Sequence, residues 1–516
     1  MKKCIRSILA LTVCTAMSLN LAGCSSTVNA ATTESSAGAG EAAAGEQTIS
    51  LYFVRHGKTI LNTLNRVQGW SDSPLTEAGA DVAKDTAQGL ADISFDLVYA
   101  SDRMRAMETA RIIMDAGHAG TAQQINSMEG LRECNYGKYE GDFNDVMWSD
   151  IMAELGVDNM GALMQLEEST KQIYDTVAKL DETGEAESYD EVAGRLMASV
   201  EEIVAQAQAS GAKNVLVVGH GGAIGVILSK LNGASVGELG NASVSLAEYT
   251  DGNYQVISVG DMSYCENGAK LRKSQPETAE EVLKPVEGEE TGEVVVYLTR
   301  HGKTVFNTMG RTQGWVDSPL TAAGVEVAEN LGKGISDVTF AAAYSSDMGR
   351  AVETSQIVLG LNKTSADLPL IQMPGLRETN YGKFEGGINT DMLNAALNEM
   401  GLSGMEDLNA LENGIAAVTD TIHRLDETGE AEDYNTMSAR TFGAFDRICK
   451  ETAVNGGGNV LVVAHGNAIM SILNTIGDAN ALEIENASVS MIRYSNGTYT
   501  IESVNDTSYS EAGALK

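Results

Sequence analysis

Residues 48–70 read TISLYFVRHGKTILNTLNRVQGW, and the most informative pattern of the chain lies in this stretch. Residues 49–54 are rich in β-branched and aromatic side chains, which is typical of a buried strand in an α/β sheet. The strand ends at Arg55-His56-Gly57, and the carboxyl ends of strands in open α/β sheets border the ligand crevice. Imidazole is a good nucleophile near neutral pH, and guanidinium suits a phosphate. We therefore predict phosphate chemistry at this strand end.

The same stretch occurs twice in the chain. VRHGKTILNTLNRVQGW at residues 54–70 corresponds to TRHGKTVFNTMGRTQGW at residues 299–315, so that His301 lies 245 positions after His56. A tandem duplication therefore fixes the number of domains at two. Other motif residues repeat at the same spacing, namely Arg105 and Arg350, Glu133 and Glu378, and His220 and His465.

Length and composition agree with two domains. A chain of 516 residues, of which 43% are hydrophobic, can build more than one core. Two stretches of low hydrophobicity separate the parts. We predict the following order: a signal peptide at 1–23, a flexible tether at 24–47, a first domain at 48–270, a linker at 271–293 and a second domain at 294–516.

The amino terminus indicates export. Lys2, Lys3 and Arg6 precede an apolar run at 8–21, which is a secretory signal pattern. The run ends in Leu-Ala-Gly-Cys, which resembles the lipobox of bacterial lipoproteins, where the cysteine is acylated. The resemblance predicts lipidation of Cys24 and an extracytoplasmic protein anchored to the bacterial cell membrane. An ordinary cleaved signal followed by a chance cysteine is the alternative.

Charge and cysteine content exclude several classes of function. The net charge is −36, with 71 acidic against 35 basic residues, and such a surface repels nucleic acid. Three cysteines remain after Cys24, and they are widely separated. This spacing indicates neither a disulfide framework nor a metal site.

Each domain alternates between strands and helices, which predicts an α/β fold with a mostly parallel sheet flanked by helices in three layers. In the first domain we expect helices over 76–92 and 101–116, the second with Ser101 as its N-cap, and strands over 95–100 and 215–218. Asp251-Gly252 and Asn496-Gly497 predict hairpin turns near the domain ends.

The ordered motifs resemble one family. RHG, then an asparagine, an arginine, LRE, YG, EG and finally GHG or AHG are similar to the histidine phosphatase superfamily, in its phosphoglycerate mutase-like branch. The resemblance covers both domains nearly end to end. RHGKT differs from the RHGxRxP of the phytase and acid-phosphatase branch, which is therefore disfavoured.

The resemblance implies a role for each motif residue. His56 would become a phosphohistidine, and Glu133 would act as general acid and then as general base. Cationic and amide side chains would bind the phosphoryl oxygens, so that neither a metal nor another cofactor is expected. The phosphate-binding residues would be Arg55, Asn62, Arg105 and His220. The second domain would use His301 and Glu378 as catalytic residues, with Arg300, Asn307, Arg350 and His465 on the phosphate.

Two further segments, the Gly-Trp loops and residues 144–172, also recur in both domains. The Gly-Trp pairs at 69–70 and 314–315, with the Asp and Ser-Pro-Leu-Thr that follow, are interpreted as structural, a packed loop and a helix entry. Residues 144–172 correspond to the family's variable cap over the pocket. At the positions equivalent to Trp148 and Met164 of this cap, the other copy has Leu393 and Asn409. This difference predicts that the two sites prefer different substrates.

Three functions compete. The leading hypothesis is an exported phosphomonoesterase that acts on small phosphorylated substrates. A phosphoglycerate mutase is the closest rival, although its substrate is cytoplasmic. A non-catalytic binder of phosphorylated ligands is the third, and it is disfavoured because neither copy has lost a motif residue. A metal site built on the same residues is unattractive, since two arginines would repel a cation. The physiological substrate and the oligomeric state stay open.

Overall fold

A computed structural model describes residues 48–117, 124–233, 236–272, 286–411, 413–477 and 483–516. The predicted signal peptide, the tether and Cys24 lie outside these ranges, as does most of the predicted linker. We call the described residues before the linker the first half and those after it the second half. Within these ranges, no helix has both the length and the apolar character needed to cross a membrane.

The first half contains six strands and nine helices among its described residues. The strands are β1 (Ile49–Arg55), β2 (Leu97–Ser101), β3 (Ile125–Met128), β4 (Asn214–Gly219), β5 (Val244–Thr250) and β6 (Asn253–Asp261). The helices are α1 (Ile60–Thr63), α2 (Glu77–Gly89), α3 (Met104–Gly117), α4 (Asn144–Leu155), α5 (Met160–Met164), α6 (Ser169–Leu180), α7 (Tyr189–Ser210), α8 (Gly221–Asn232) and α9 (Ser263–Arg272).

The second half repeats this order of elements. Its strands are β7 (Val294–Arg300), β8 (Phe340–Ser345), β9 (Leu370–Gln372), β10 (Gly458–Ala464), β11 (Val489–Ser495) and β12 (Thr498–Asp506). Its helices are α10 (Val305–Met309), α11 (Ala322–Gly334), α12 (Gly349–Gly360), α13 (Asn389–Met400), α14 (Met405–Asn409), α15 (Gly414–Leu425), α16 (Tyr434–Val454), α17 (Gly466–Ile476) and α18 (Ser508–Ala514).

Each half builds one six-stranded sheet, in the order β3-β2-β4-β1-β5-β6 and β9-β8-β10-β7-β11-β12. The first four strands of each order run parallel. The fifth strand pairs antiparallel with the fourth, and the sixth pairs antiparallel with the fifth. In the first half, α7 and α8 pack with one face of β1 and β4, and α2 and α3 pack with the other face. The predicted three-layer α/β fold, with a mostly parallel sheet in each of two tandem copies, is confirmed.

Local signals account for most of the element boundaries. The Thr76 hydroxyl accepts a hydrogen bond from the Gly79 amide at 3.0 Å and caps α2. Asp251 and Asn496 both have φ of 48°, and each precedes a glycine of positive φ, which is the tight turn that the two hairpins require. Both hairpin predictions are confirmed.

The prediction of Ser101 as a helix N-cap is wrong. Ser101 is the last residue of β2, and α3 begins only at Met104. The Met104 amide donates to the carboxylate of Asp72, which comes from a loop more than thirty residues earlier in the chain. A carboxylate delivered by the tertiary fold thus replaces a local cap, and no local sequence pattern reveals it.

The three cysteines of the described chain, Cys134, Cys265 and Cys449, are buried free thiols. Burial raises the pKa of each of them, which keeps the thiol protonated. They are therefore packing residues with low reactivity.

Candidate active site

His56 lies directly after β1, at the carboxyl end of the parallel strands. Its amide donates to the Gly219 carbonyl at 2.9 Å, which continues the pairing of β1 with β4. Its Nδ1 lies 2.8 Å from the Gly57 carbonyl oxygen. Because a carbonyl only accepts, Nδ1 carries the proton and Nε2 keeps a lone pair. His301 makes the same contact with Gly302 at 2.8 Å, so both imidazoles offer Nε2 as a nucleophile.

Both imidazoles are held in the neutral form. Burial lowers the pKa of His56 well below its usual range, and the charges of Arg105 and Arg55 lower it further. For His301 the order of causes is the same, with burial first and then Arg350 and Arg300. A neutral imidazole is the nucleophilic form, and these surroundings preserve it at neutral and mildly acidic pH.

His220 faces His56 across the site. It follows β4, the parallel neighbour of β1, and its ring centroid lies 5.4 Å from that of His56. The corresponding distance from His301 to His465 is 5.2 Å. Burial and then the arginine beside it lower the pKa of each second histidine well below its usual range. Each half therefore brings together the paired histidines that its sequence predicts.

A fully buried arginine lies beside each pair of histidines. Arg105 in the first turn of α3 and Arg350 in the first turn of α12 are both 0% exposed. The Nε of Arg350 donates to Nε2 of His301 at 3.2 Å and to Nδ1 of His465 at 3.1 Å. A burial of this depth needs charge compensation and hydrogen bonds, and neighbouring loops supply both.

The two terminal nitrogens of each buried arginine are held by one loop. Arg105 donates to the carbonyls of Gly69 at 2.9 Å and Ser71 at 3.0 Å, and to the Asp72 carboxylate at 2.8 Å. Arg350 makes the same three contacts in the second half, with Asp317 as the carboxylate, at 2.7–3.0 Å. These bonds fix the guanidinium, so that its Nε edge is directed at the histidines.

Arg55 and Arg300 bring a second guanidinium to each site. They end β1 and β7, and each donates from Nη1 to a backbone carbonyl, of Leu239 and of Ile484. Burial lowers the pKa of both side chains, opposed by the charges of Glu133 and Glu378. The cations are thus kept close to the predicted general acids.

Several buried polar atoms at the two sites have no hydrogen-bond partner within the described part of the chain. They are Nε of Arg55, Arg105 and Arg300, both ring nitrogens of His220, and Nε2 of His465. A buried polar group without a partner costs roughly 1–3 kcal/mol, so such groups are rarely left unpaired without reason. Converging donors of this kind match the oxygens of a bound phosphoryl group.

The side chain of Glu133 lies beside the amino end of α8, the helix that begins directly after His220. Its carboxylate accepts hydrogen bonds from the amides of Gly222 at 2.8 Å and Cys134 at 3.0 Å. Burial raises its pKa, while the two amides and Arg105 act in the opposite direction. A raised pKa suits a group that must donate a proton near neutral pH. Glu378 occupies the same place, with Asn467 and Ala468 as donors at 2.9 and 3.1 Å.

Asn62 and Asn307 are predicted phosphate ligands with a clear second role. The Oδ1 of each accepts a hydrogen bond from the amide of the threonine that begins α1 or α10, at 3.3 and 3.2 Å, and so completes a capping box. Asn241 links Asn62 to the site, since its Nδ2 donates to the His56 carbonyl at 3.1 Å and lies 3.5 Å from Oδ1 of Asn62. The amide nitrogen is the part of Asn62 suited to a phosphoryl oxygen.

Some residues that position the site were missed by the sequence interpretation. The Trp70 indole donates to the Glu133 carbonyl at 3.0 Å, and Arg195 donates to the same oxygen at 2.7 Å. Trp315 and Arg440 do the same for Glu378. The Gly-Trp loops have the structural role that the sequence predicts, and each also holds the buried arginine and the predicted general acid of its half.

Glu140 holds the loop at residues 69–71 through its backbone amides. Its carboxylate accepts the amides of Gly69, Trp70 and Ser71 at 2.8–3.2 Å. Glu385 repeats this arrangement, and burial raises its pKa to about 7. A sequence signal did exist for these residues, since Trp70, Glu140, Arg195 and Asn241 each recur unchanged 245 positions later.

The predicted cap segment forms α4, α5 and the start of α6. Met147 is buried in the core, whereas Met164 is 52% exposed. The apolar side chains of this segment therefore divide between packing and surface. Trp148 packs partly buried against the core of the first half. The side chain of Asn409, the counterpart of Met164, lies outside the described part of the chain.

Comparisons with known proteins agree with this geometry. The family model for the histidine phosphatase superfamily (branch 1) matches residues 51–262 and 296–507. This chain belongs to that superfamily and contains its domain twice.

Similar proteins include both phosphatases and mutases. A metal-independent phosphoserine phosphatase of Arabidopsis thaliana is 30% identical over 227 residues, which cover 43% of this chain and 85% of the relative. A 2,3-bisphosphoglycerate-dependent phosphoglycerate mutase of Gloeobacter violaceus is 29% identical over 195 residues, with 38% and 81% covered. Among solved structures, a phosphoglycerate mutase from Bacillus anthracis is 45% identical, with a TM-score of 0.42, and covers 44% of this chain and 98% of that one.

Proposed function

We propose that this chain hydrolyses phosphomonoesters at two active sites through a phosphohistidine intermediate, without a metal ion. One observation supports this most strongly. In each half a neutral histidine, whose Nδ1 is bound to a carbonyl, directs Nε2 toward a second histidine and a fully buried arginine. A nucleophile among fixed cations and a buried carboxyl group suits phosphoryl transfer.

In the first step, Nε2 of His56 attacks phosphorus while the bond from phosphorus to the ester oxygen breaks. Arg105, Arg55 and His220 stabilise the charge on the phosphoryl oxygens. Glu133, whose pKa is raised by burial, would give its proton to the departing alkoxide. The products of this step are a free alcohol, phosphohistidine and the Glu133 carboxylate.

In the second step, water attacks the phosphohistidine. The Glu133 carboxylate accepts a proton from the water, and the bond from Nε2 to phosphorus breaks. Inorganic phosphate leaves, His56 returns to its neutral form and Glu133 is protonated again. His301, Arg300, Arg350, His465 and Glu378 repeat both steps in the second half.

The direct test is to trap the intermediate. Full-length protein is mixed with a ³²P-labelled aryl phosphate and quenched in alkali, in which a phosphohistidine persists. We expect label on wild type and on both single variants His56→Ala and His301→Ala, and none on the double variant. Phosphate release without labelling of any of these proteins would refute the phosphohistidine mechanism.

Phosphoglycerate mutase activity is the second candidate, because some of the similar proteins carry that name. A mutase would interconvert 2- and 3-phosphoglycerate and depend on a bisphosphorylated cofactor. We expect release of inorganic phosphate from a panel of esters instead. Interconversion that requires added 2,3-bisphosphoglycerate, with no net phosphate release, would establish the mutase.

A binder of phosphorylated ligands is the third candidate. It would bind phosphate esters at both sites but leave them intact. We expect wild-type protein to release phosphate from at least one class among sugar phosphates, nucleotides and phosphoamino acids. Saturable binding of these esters, with no release from any of them, would establish the binder.

We also propose that the protein acts outside the cytoplasmic membrane, anchored through a lipid on Cys24. The support is the signal pattern and its lipobox-like end in the sequence. Membrane fractionation tests this proposal. We expect wild type in the membrane fraction and Cys24→Ser released from it, and an equal distribution of both would contradict the anchor.

A further inference from the structure

The two halves meet through a short antiparallel contact between equivalent loops. The amide of Asp72 donates to the carbonyl of Asp317 at 2.7 Å, and the amide of Asp317 donates to the carbonyl of Asp72 at 2.6 Å. Both residues are 2% exposed. Because buried backbone groups need partners, each loop depends on the other half for two of its hydrogen bonds.

The side chains of the same two residues reach into the active sites. One carboxylate oxygen of Asp72 binds the Arg105 guanidinium at 2.8 Å, and the other caps the first amide of α3. Asp317 binds the Arg350 guanidinium at 2.7 Å and its amide at 3.1 Å. In each half, a single aspartate therefore pairs with the other half through its backbone and with the buried arginine of its own site through its side chain.

Charge also connects the two residues. Burial raises the pKa of Asp72, the neighbouring Arg105 and Arg103 lower it, and the carboxylate of Asp317 in the other half raises it. The ion pair between Asp72 and Arg105 is therefore sensitive to the position of Asp317.

Apolar packing reinforces this contact beside the phosphate-binding loops. Leu61 of the first half forms a buried cluster with Phe306 and Val316 of the second. A side-chain carbon added to Gly141 would lie 2.4 Å from the ring of Phe306, which shows how closely the halves approach. Leu61 and Phe306 directly precede the asparagines of the two sites in the sequence.

Further polar contacts cross the same boundary. Arg66 donates to the carbonyl of Gly141 at 2.9 Å, and Arg311 of the second half lies 3.4 Å from that same oxygen and also pairs with Asp142 at 3.4 Å. Arg377, the residue before the second general acid, contacts the sulfur of Met104 in α3 of the first half at 3.9 Å.

We propose that each half positions the phosphate-binding arginine of the other, with Asp72 and Asp317 as the positioning residues. Neither site is then independent, because the loop that orients its arginine is completed by the partner loop. The proposal rests on the proposed function only in taking Arg105 and Arg350 as the groups that hold the phosphoryl oxygens.

The test measures one site while its partner loop is changed. His301→Ala silences the second site in the full chain, so turnover reports on the first. Adding Asp317→Ala removes a carboxylate whose hydrogen bonds, among the described residues, are to groups of the second half, and whose charge also acts on Asp72. The backbone of Asp317 still pairs with that of Asp72. We expect KM and the competitive inhibition constant of inorganic phosphate to rise about three- to tenfold, with kcat within about twofold.

Asp426→Ala in the same His301→Ala background is the matched control. Asp426 is also a structural carboxylate of the second half, and it accepts four backbone amides in a loop at 426–431 and at Lys383. We expect it to leave KM and the phosphate constant of the first site unchanged. Asp317→Asn, which keeps an acceptor oxygen, should restore both constants partly.

Hydrogen exchange supplies a readout that does not depend on turnover. We expect Asp317→Ala to increase exchange of the amides at 69–75 in the first half, and Asp426→Ala to leave it unchanged. Kinetic constants and exchange rates equal to those of the His301→Ala background would overturn the proposal. Absence of turnover in wild type would refute the proposed function, while the exchange measurement would still decide this inference.

Discussion

The two halves are nearly identical where the phosphoryl group would bind and differ beside the general acid. Both use the same histidine tautomer and the same three contacts from the buried arginine. Glu133 accepts amides from Cys134 and Gly222, whereas Glu378 accepts them from Thr379, Asn467 and Ala468. The groups proposed to bind phosphate are therefore duplicated, whereas the surroundings of the proposed proton donor differ.

A coupled exchange of two residues produces this difference. In the first half, a side-chain carbon on Gly222 would lie 2.5 Å from the Tyr174 hydroxyl, so a larger residue does not fit there. In the second half, Asn467 replaces the glycine and donates to the Tyr381 hydroxyl at 2.6 Å, and Thr419 stands in the position of Tyr174. The first site thus has a tyrosine and a glycine where the second site has a threonine and an asparagine.

The largest expected effect comes from removing both nucleophiles. His56→Ala with His301→Ala should lower phosphate release at least about 10³-fold, because the covalent step is lost from both halves. Each single variant should keep the activity of the other half and show its own substrate profile across an ester panel. The exposed His423 provides a control, and His423→Ala should leave release unchanged. Identical profiles of the two single variants would show that the halves are redundant.

The general acids give the next largest effect. In the His301→Ala background, Glu133→Gln should lower kcat for alkyl phosphates about 10²- to 10⁴-fold. The loss should be much smaller for p-nitrophenyl phosphate, whose leaving group departs without a proton. Equal losses for both ester classes would exclude Glu133 as the proton donor.

The pH dependence of kcat in the His301→Ala protein provides a second test of Glu133 as the proton donor. The Glu133 carboxyl must be protonated for the first step, so kcat should fall as pH rises through its pKa. Because burial raises that pKa, this fall should lie above the value of about 4.3 for an ordinary glutamate. The fall in kcat should be absent from the Glu133→Gln variant. A fall that persists in this variant would mean that another group titrates.

Exchanging the divergent pair should shift substrate preference by a smaller amount. Tyr174→Thr with Gly222→Asn, in the His301→Ala background, gives the first site the residues of the second. We expect its relative kcat/KM values across the panel to move about five- to tenfold toward those of the His56→Ala protein. Gly222→Asn alone should impair activity instead, since the added side chain would press on Tyr174 and Glu133. An unchanged preference in the double exchange would place specificity elsewhere, with the cap helices as the next region to exchange.

The smallest expected effect is on stability. The pKa values of His56, His220, His301 and His465 are lowered in the folded protein, so unfolding takes up protons below about pH 6.5. The contribution of these histidines to the free energy of unfolding is fully present above that pH, and it is lost as the pH falls toward their pKa values in the folded state. The protein should therefore be less stable at pH 5.5 than at pH 7. Urea unfolding at pH 7 and 5.5 measures it, and His56→Asn with His301→Asn should reduce the loss. An equal loss in the two proteins would show that these imidazoles are not buried in the neutral form.

Much of the fold could be predicted from the sequence because its signals are local or repeated. The apolar strands, the Thr76 cap and the two hairpin turns each follow from a few adjacent residues. The grouping of His56, Arg105, Glu133 and His220 followed from motif order, since the carboxyl ends of parallel strands meet at one edge. The assignment of catalytic and binding roles to these residues stays a prediction.

The supporting contacts could not be predicted because they join residues that are distant in the chain. Asp72 replaces Ser101 as the group at the start of α3, and Glu140 holds a loop seventy residues earlier. No periodicity or local motif encodes such pairs. Both residues recur in the second copy, but their neighbours in the sequence recur as well, so the repeat does not single out Asp72 or Glu140.

The antiparallel contact between the Asp72 and Asp317 loops has a consequence for dilution. For two separate proteins, pairing through these contacts would depend on concentration, whereas halves on one chain meet at an effective concentration in the millimolar range. Covalent fusion thus makes the pairing independent of how much protein is present. That independence is a physical reason for two copies to be kept in a single polypeptide.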